Sequence, residues 1–398
     1  MRISTGQVNT MALTAILDQQ ARLSQTQLQL AAGKKNLTPA DDPVAASKSI
    51  GLDQSVSKLQ QYQRNMDMAE SRLQLEDSTL SDMTVVLNRI REIALVGNNS
   101  SLTPEDRSLL ANEIKERQDE LLSLANTRDS SGEYIYAGYQ AQTQPFSQNS
   151  SGSYNYAGDS GQRFLQIGAS RQIAVADSGN DVFMAIKNGN GTFTVTDNAA
   201  NTGAGVIDPG SVFNATAYDG DTYTLTFVSD TSYEIRDSSN NLEVSGTYVE
   251  GQQIAVNGIQ TTIKGQPLSG DVFTLAPSTS KDVFTTVNDL ATAFENSSSN
   301  AVSTAKLNNS VNRFLSDIDQ AMESLINVRS KAGARLSTID SQRQLNESQD
   351  IQLKKDLSEL NDLDYAEAIT QLNLQKVGLE AAQQSYLRIQ GLSLFNYL

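Results

Sequence analysis

The chain has 398 residues, with 30 Lys and Arg against 46 Asp and Glu, a formal net charge of −16 at pH 7, and it contains no Cys, His or Trp. That acidity argues against a nucleic-acid partner, whose phosphates require a basic surface. The missing Cys and His exclude disulfides, thiolate zinc sites, thiol nucleophiles and the usual neutral-pH proton shuttle.

In chain order, the first ten residues lack the apolar run and small-residue cleavage site of a secretory signal, so any route out of the cell is expected to use no cleaved signal. No stretch approaches the ~18 consecutive apolar residues of a membrane helix. Residues 10–31 place Leu13, Ile16, Leu17, Leu23, Leu28 and Leu30 among many Gln. Asp42 precedes Pro43 and reads as the cap of a new helix. From Leu59 to Ala94 a stripe advances in alternating steps of three and four through Met66, Leu73, Leu80, Leu87 and Ile90. Glu76 is its single non-apolar member. A 3.5-residue period predicts a seam against partner helices, as in a coiled coil or long bundle. Thr103-Pro104-Glu105-Asp106 predicts the start of a third helix, with Leu110, Ile114, Leu121 and Leu124 inward.

The middle is a different kind of chain. Residues 133–281 hold 17 of the 25 Gly and 16 of the 24 Phe and Tyr, but only 6 of the 30 Lys and Arg. Alternation in 191–196 and 222–228, with turn pairs Asn188-Gly189, Asp219-Gly220 and Asn257-Gly258, predicts β structure. A division near residue 175 is expected, with hairpins tied to the helical body before it and a separate small β domain after it. Asp-Val-Phe occurs at 181–183, 271–273 and 282–284, and the first two are expected to begin similar strands. The helical stripe returns at Leu307, Val311, Phe314, Ile318, Ala321, Leu325, Val328 and Ala332. The last segment carries Ile369, Leu372, Leu379, Tyr386, Ile389, Leu392, Leu394 and Phe395. Chain ends normally fray and are polar. An apolar end at both termini implies that neighbouring subunits complete the cover.

The predicted fold is therefore α+β: a long antiparallel helical rod or coiled coil built from both chain ends, with a central inserted β domain. The rod core is assigned to Leu73, Leu80, Leu87, Ile90, Phe314, Ile318 and Leu325. The subunit interface is assigned to Leu13, Ile16, Leu17, Leu23, Leu30, Ile369, Leu372, Leu379, Tyr386, Ile389, Leu392, Leu394 and Phe395. No candidate catalytic site survives inspection. Asp41-Asp42 lacks a third ligand and is better read as a cap, since calcium wants six or more oxygens. Asp219-Gly-Asp221 lacks the spacing of a calcium loop, and Asn188-Gly-Asn-Gly191 lacks the Lys of a phosphate loop. The Tyr cluster between 134 and 248 suits strand cores as well as sugar binding. No Ser has a His or Ser-x-x-Lys context to activate it. Neither an enzyme, a cofactor nor a metal is expected.

Two stretches carry a family resemblance. Leu30-Ala-Ala-Gly-Lys-Lys-Asn-Leu-Thr-Pro-Ala-Asp-Asp-Pro-Val-Ala-Ala46 resembles the helix break of the bacterial flagellins. Leu360-Asn-Asp-Leu-Asp-Tyr-Ala-Glu-Ala-Ile-Thr-Gln-Leu372, with Gly391-Leu-Ser-Leu-Phe-Asn-Tyr-Leu398, resembles their C-terminal helix. Met1-Arg-Ile-Ser-Thr5, Gly132-Glu-Tyr-Ile-Tyr-Ala-Gly-Tyr139 and the chain end are most similar to the hook–filament junction subunits of that family.

The resemblance implies export through the flagellar type III channel to an extracellular position in the flagellum. It implies a ring of identical subunits between an adjoining hook-associated protein and flagellin, and an export chaperone on the C-terminal helix. The implied segments are an inner domain of 1–45 and 355–398, a rod of 46–174 and 282–354, and an outer β domain of 175–281. The alternatives are a minor flagellin that builds the filament itself and, third, a surface adhesin or enzyme on such a scaffold.

Overall fold

The computed structural model describes residues 5–150 and 152–391. Six α-helices frame the chain: α1 Thr5–Ala32, α2 Pro43–Gly97, α3 Pro104–Ala125, α4 Val283–Glu295, α5 Ala301–Asn361 and α6 Tyr365–Gly391. Two compact units result. One contains the residues up to Arg64 together with those from Ser341 onward, and the other is Asn65–Asp340. Their limits fall inside α2 and α5.

In the larger unit the 3.5-residue stripe of α2 is sealed: Met66, Ala69, Leu73, Leu80, Met83, Ile90 and Ala94 have no exposed surface. Opposite lie Leu307, Val311, Phe314, Ile318, Ala321, Leu325 and Val328 of α5, in the same core as Leu80, Leu87 and Ile90. The two helices run antiparallel, as Asp77–Arg329 at 2.9 Å and Arg91–Asp319 at 3.2 Å show. α3 begins with a capping box: Thr103 Oγ1 accepts from Asp106 N, and Asp106 accepts from Thr103 N. Its Ile114 and Leu121 join Leu290 and Phe294 of α4 in the core. Arg107 is buried and donates to the carbonyls of Gly97 and Asn99, which closes the end of α2.

Short hairpins pair Phe146–Gln148 with Tyr154–Tyr156 and Phe164–Gln166 with Gln172–Ala174. After them comes a two-sheet antiparallel assembly with its own core. One sheet orders its strands Leu242–Thr247, Ser232–Arg236, Tyr223–Ser229, Val272–Pro277 and Phe193–Asp197. The other runs Gln253–Val256, Ile259–Gln266 and Ala204–Ile207, with Ser211–Val212 also paired to Ile259–Gln266. Alternate residues Tyr223, Leu225 and Phe227 face Ile259, Ile263 and Val256 in one cluster. Asn257-Gly258, both at positive φ, form the two-residue turn of the Val256–Ile259 hairpin.

This β assembly lies within the larger unit and is tied to α5 by buried polar groups. Asn309 Oδ1 accepts from Ile207 N at 2.8 Å and its Nδ2 donates to Gly205 O at 3.1 Å. Arg313 meets Asp197 at 2.8 Å, and Asp317 Oδ1 accepts from Gly189 N at 2.7 Å. One expectation is corrected. Asp181-Val-Phe183 does not begin a strand but lies in a π-helical turn, Asn180–Met184, whereas Val272 and Phe273 open the strand Val272–Pro277.

Candidate assembly surface

The smaller unit pairs the two chain ends. Gly33 ends α1 at φ +65°, a conformation that disfavours a side chain, and an added Cβ would stand 2.8 Å from Tyr365 Oη. The breaks on both sides then pair: Lys34 bridges Asp362 antiparallel, Lys35 N donates to Asn361 O at 2.8 Å and Leu363 N to Gly33 O at 3.1 Å. Two acids restart the helices. Asp42 Oδ1 accepts from Val44 N and Ala45 N at 3.0 and 2.9 Å, with Pro43 at the first helical position. Asp364 Oδ1 accepts from Ala366 N and Glu367 N. Asp41 instead accepts from Leu37 N and Thr38 N, and those bonds, the Thr38 one foremost, hold its carboxyl below the usual range. The adjacent acids serve two backbone turns.

α1 and α6 pack antiparallel, since Gln19 Nε2 donates to Gln375 O at 3.1 Å while Lys34 meets Asp362. The less exposed positions follow steps of three and four: Asn9, Ala12, Ile16, Gln19, Leu23, Thr26 and Leu30 on α1, and Ala368, Leu372, Gln375, Leu379, Ala382 and Tyr386 on α6. Only Thr26 and Ala368 of these are fully buried. The seam is thus narrow and partly polar, and Asn9 Oδ1 and Gln375 Oε1 are buried in it without a partner. Of the assigned interface residues, Ile16, Leu23, Leu30, Leu372, Leu379 and Tyr386 lie in this seam. Leu13, Leu17 and Ile369 do not; they are exposed on the outer faces together with Met11, Leu28, Leu374, Val377 and Leu387. Ile389 belongs to the last turns of α6, and Leu392, Leu394 and Phe395 lie outside the described residues.

Elsewhere, the largest group of facing charges is held in pairs. A broad cleft of about 1180 Å³ beside α2 contains Arg72, Asp129, Glu133 and Arg163. Arg72 pairs with Asp129 at 2.6 Å and with Glu133, and Arg163 pairs with Glu133 at 2.7 Å. Arg163 and then Arg72 pull the Glu133 carboxyl below its ordinary range, so it stays ionised and occupied. Asp219 and Asp221 turn inward to their own loop, Asp219 accepting from Asp221 N and Tyr223 Oη, and Asp221 from Thr222 N. Among the described residues no group of three acidic ligands could hold a metal ion, and no helix is long and apolar enough to cross a membrane. The cluster of Arg72, Asp129, Glu133 and Arg163 is not legible in the sequence, because it brings together segments distant in the chain.

Comparison with known proteins assigns this architecture. Residues 3–141 match the bacterial flagellin N-terminal helical region and residues 315–398 the flagellin C-terminal helical region. The crystal structure of the flagellar junction protein FlgL from Legionella pneumophila is 34% identical and superimposes with a TM-score of 0.69, covering 73% of this chain and 98% of that one. The chain belongs to the FlgL-type flagellin family. Flagellar hook-associated protein 3 of Salmonella typhimurium, another relative, is 25% identical over 99% of both chains. That of Escherichia coli is 33% identical over 186 residues, 47% of this chain and 58% of that protein. The family consists of structural flagellar proteins, and no enzymatic family is indicated. Terminal helical regions around a central antiparallel β assembly are thus both this chain's fold and its family's.

Proposed function

We propose that this protein is a structural subunit of the flagellar junction, set between an adjoining hook-associated protein and flagellin and assembled as a ring of identical copies. The observation that carries this reading is the pair of apolar outer faces on α1 and α6. Leu17 is 56% and Val377 63% exposed, although both sit on long helices with an apolar partner available. Several exposed large apolar residues on one helix pair suit a binding face. Further subunits would cover it and complete a core that the α1–α6 pair leaves thin. The relatives, a hook-associated protein 3 and a flagellar junction protein, support the same place. Export by the flagellar apparatus, an extracellular position, a chaperone on α6 and the division into inner, rod and outer segments belong to this reading.

The test is electron microscopy of the purified protein under salting-out conditions, alone and mixed with flagellin. The expected result is no long filament from the protein alone, and short caps or seeds on flagellin. Long filaments from the protein alone would instead make it a filament-building flagellin. Leu17→Asp with Val377→Asp is expected to abolish the caps while the isolated protein still folds.

A further inference from the structure

Glu76 occupies an unusual place. It lies on α2 between Leu73 and Leu80, all three in the buried stripe, at the point where one apolar cluster gives way to the next. Only 1% of its surface is exposed. Its Oε1 accepts from Asp177 N at 3.0 Å, and its Oε2 is buried with no hydrogen-bond partner. Tyr136 Oη, fully buried, is likewise unpaired.

The groups that face Glu76 come from every neighbouring segment. Asp177, on the stretch before the π-helical turn, points its carboxylate to Arg335 of α5 in a bidentate pair, 2.8 Å on each arm, and also accepts from Gln162 Nε2. Asp77, next to Glu76 on α2, is paired to Arg329 of α5. Burial first, and then the charges of Glu76, Asp177 and Asp77, push the Tyr136 hydroxyl up. Arg335 is thus already committed to Asp177, and an ionised Glu76 would add a second anion with one oxygen unsatisfied.

We propose that Glu76 is a pH switch at the junction of α2, α5 and the Asp177 segment: the junction is stable while the buried carboxyl is neutral, and is weakened when ionisation sets a second buried anion beside Asp177, although the bond from Asp177 N is itself kept. A neutral carboxyl has one donor and needs no counter-charge, which suits a dry site. Asp177 also lines an open cleft of about 360 Å³ with Asp181, Lys187, Glu323 and Lys331, so the solvent edge of the cluster lies at Asp177 while Glu76 stays behind it. Burial first, and then the Asp177 charge, push the Glu76 carboxyl up to about 7, against 4.5 for a free glutamate. The folded chain therefore keeps this proton where the unfolded chain has lost it. Its contribution to stability is whole below pH 4.5, declines as pH rises toward 7, and is gone above that.

The test is a carboxyl NMR titration of the full chain labelled with ¹³C-glutamate, with the Asp177 amide followed in parallel. One glutamate should titrate with a midpoint near 7, the Asp177 amide should shift with it, and the glutamate signal should be absent from Glu76→Gln. All glutamates titrating in the ordinary range in the unmodified chain would overturn the proposal whether or not the variant folds, as would survival of the near-neutral signal in Glu76→Gln. In melting experiments the difference between Glu76→Gln and the unmodified chain should widen by roughly 5 °C from pH 4.5 to 7 and then stay level. A difference that is constant across that range would also overturn it.

Discussion

Two stretches of long helix obey the same 3.5-residue rhythm and end in opposite states. In α2 and α5, between Asn65 and Asp340, every stripe position from Met66 to Ala94 and from Leu307 to Ala332 is buried, because α3, α4 and the hairpins stand beside the helix pair. In α1 and α6 the same rhythm meets a single partner helix, and apolar residues such as Leu17 and Val377 stay exposed. A helix in isolation is marginal, and packing supplies most of its stability. Periodicity therefore tells which face wants a partner, while the number of neighbours tells whether the chain supplies that partner itself.

That contrast is open to direct attack. The largest effect is expected from the sealed stripe: Leu87→Ala or Phe314→Ala should cost about 3–5 kcal/mol, read by denaturant unfolding of the isolated protein. A loss no greater than that of a surface substitution would show that the stripe is not the core. Next comes Glu76→Gln. The displacement of its carboxyl to about 7 corresponds to roughly 3 kcal/mol regained above neutral pH, a gain that should vanish at pH 4.5. Thr103→Ala removes the side-chain half of the capping box on α3 and should cost about 1 kcal/mol in the same unfolding assay. The smallest effect belongs to the exposed face: Leu17→Asp should change unfolding of the isolated protein by less than about 0.5 kcal/mol. Its consequence should appear only when subunits meet. If it unfolds the isolated chain as strongly as Leu87→Ala, the two helix pairs do not differ as described.

Much of this was readable in advance. The stripes of α2 and α5, and the helix starts at Asp42 and Thr103-x-x-Asp106, are local signals, written within one or two turns of backbone. The break at Gly33 lies in the stretch that carries the family resemblance, whereas the break at Asp362 falls inside 355–398, which reads as one terminal helix. The strand alternation at Tyr223–Ser229 is of the same kind. The division of apolar residues in α1 and α6 was not readable. Leu13 and Ile16 look equivalent in sequence, yet one faces outward and the other lies in the seam, because the seam is set by which face meets the partner helix. Nor were the ion clusters, since Asp177 and Arg335 lie 158 positions apart.

Asp-Val-Phe shows the limit most sharply, since three copies take three conformations. At 181–183 it turns in a π-helix; at 271–273 it leads into a strand; at 282–284 Asp282 caps α4, its Oδ1 accepting from Thr285 N at 2.7 Å. What all three share is what the sequence by itself determined: Phe183, Phe273 and Phe284 are each buried, because burying a phenyl ring is favourable whatever the backbone geometry that carries it. The conformation was decided by distant partners. Asp271 is held by Thr202 N, Gly203 N and Leu268 N, and Phe273 lies across from Asp197 and Leu225 on the adjoining strands. Hydrophobicity belongs to the residue and travels with it, whereas a backbone hydrogen bond requires a second segment, and only the folded chain brings that segment into place.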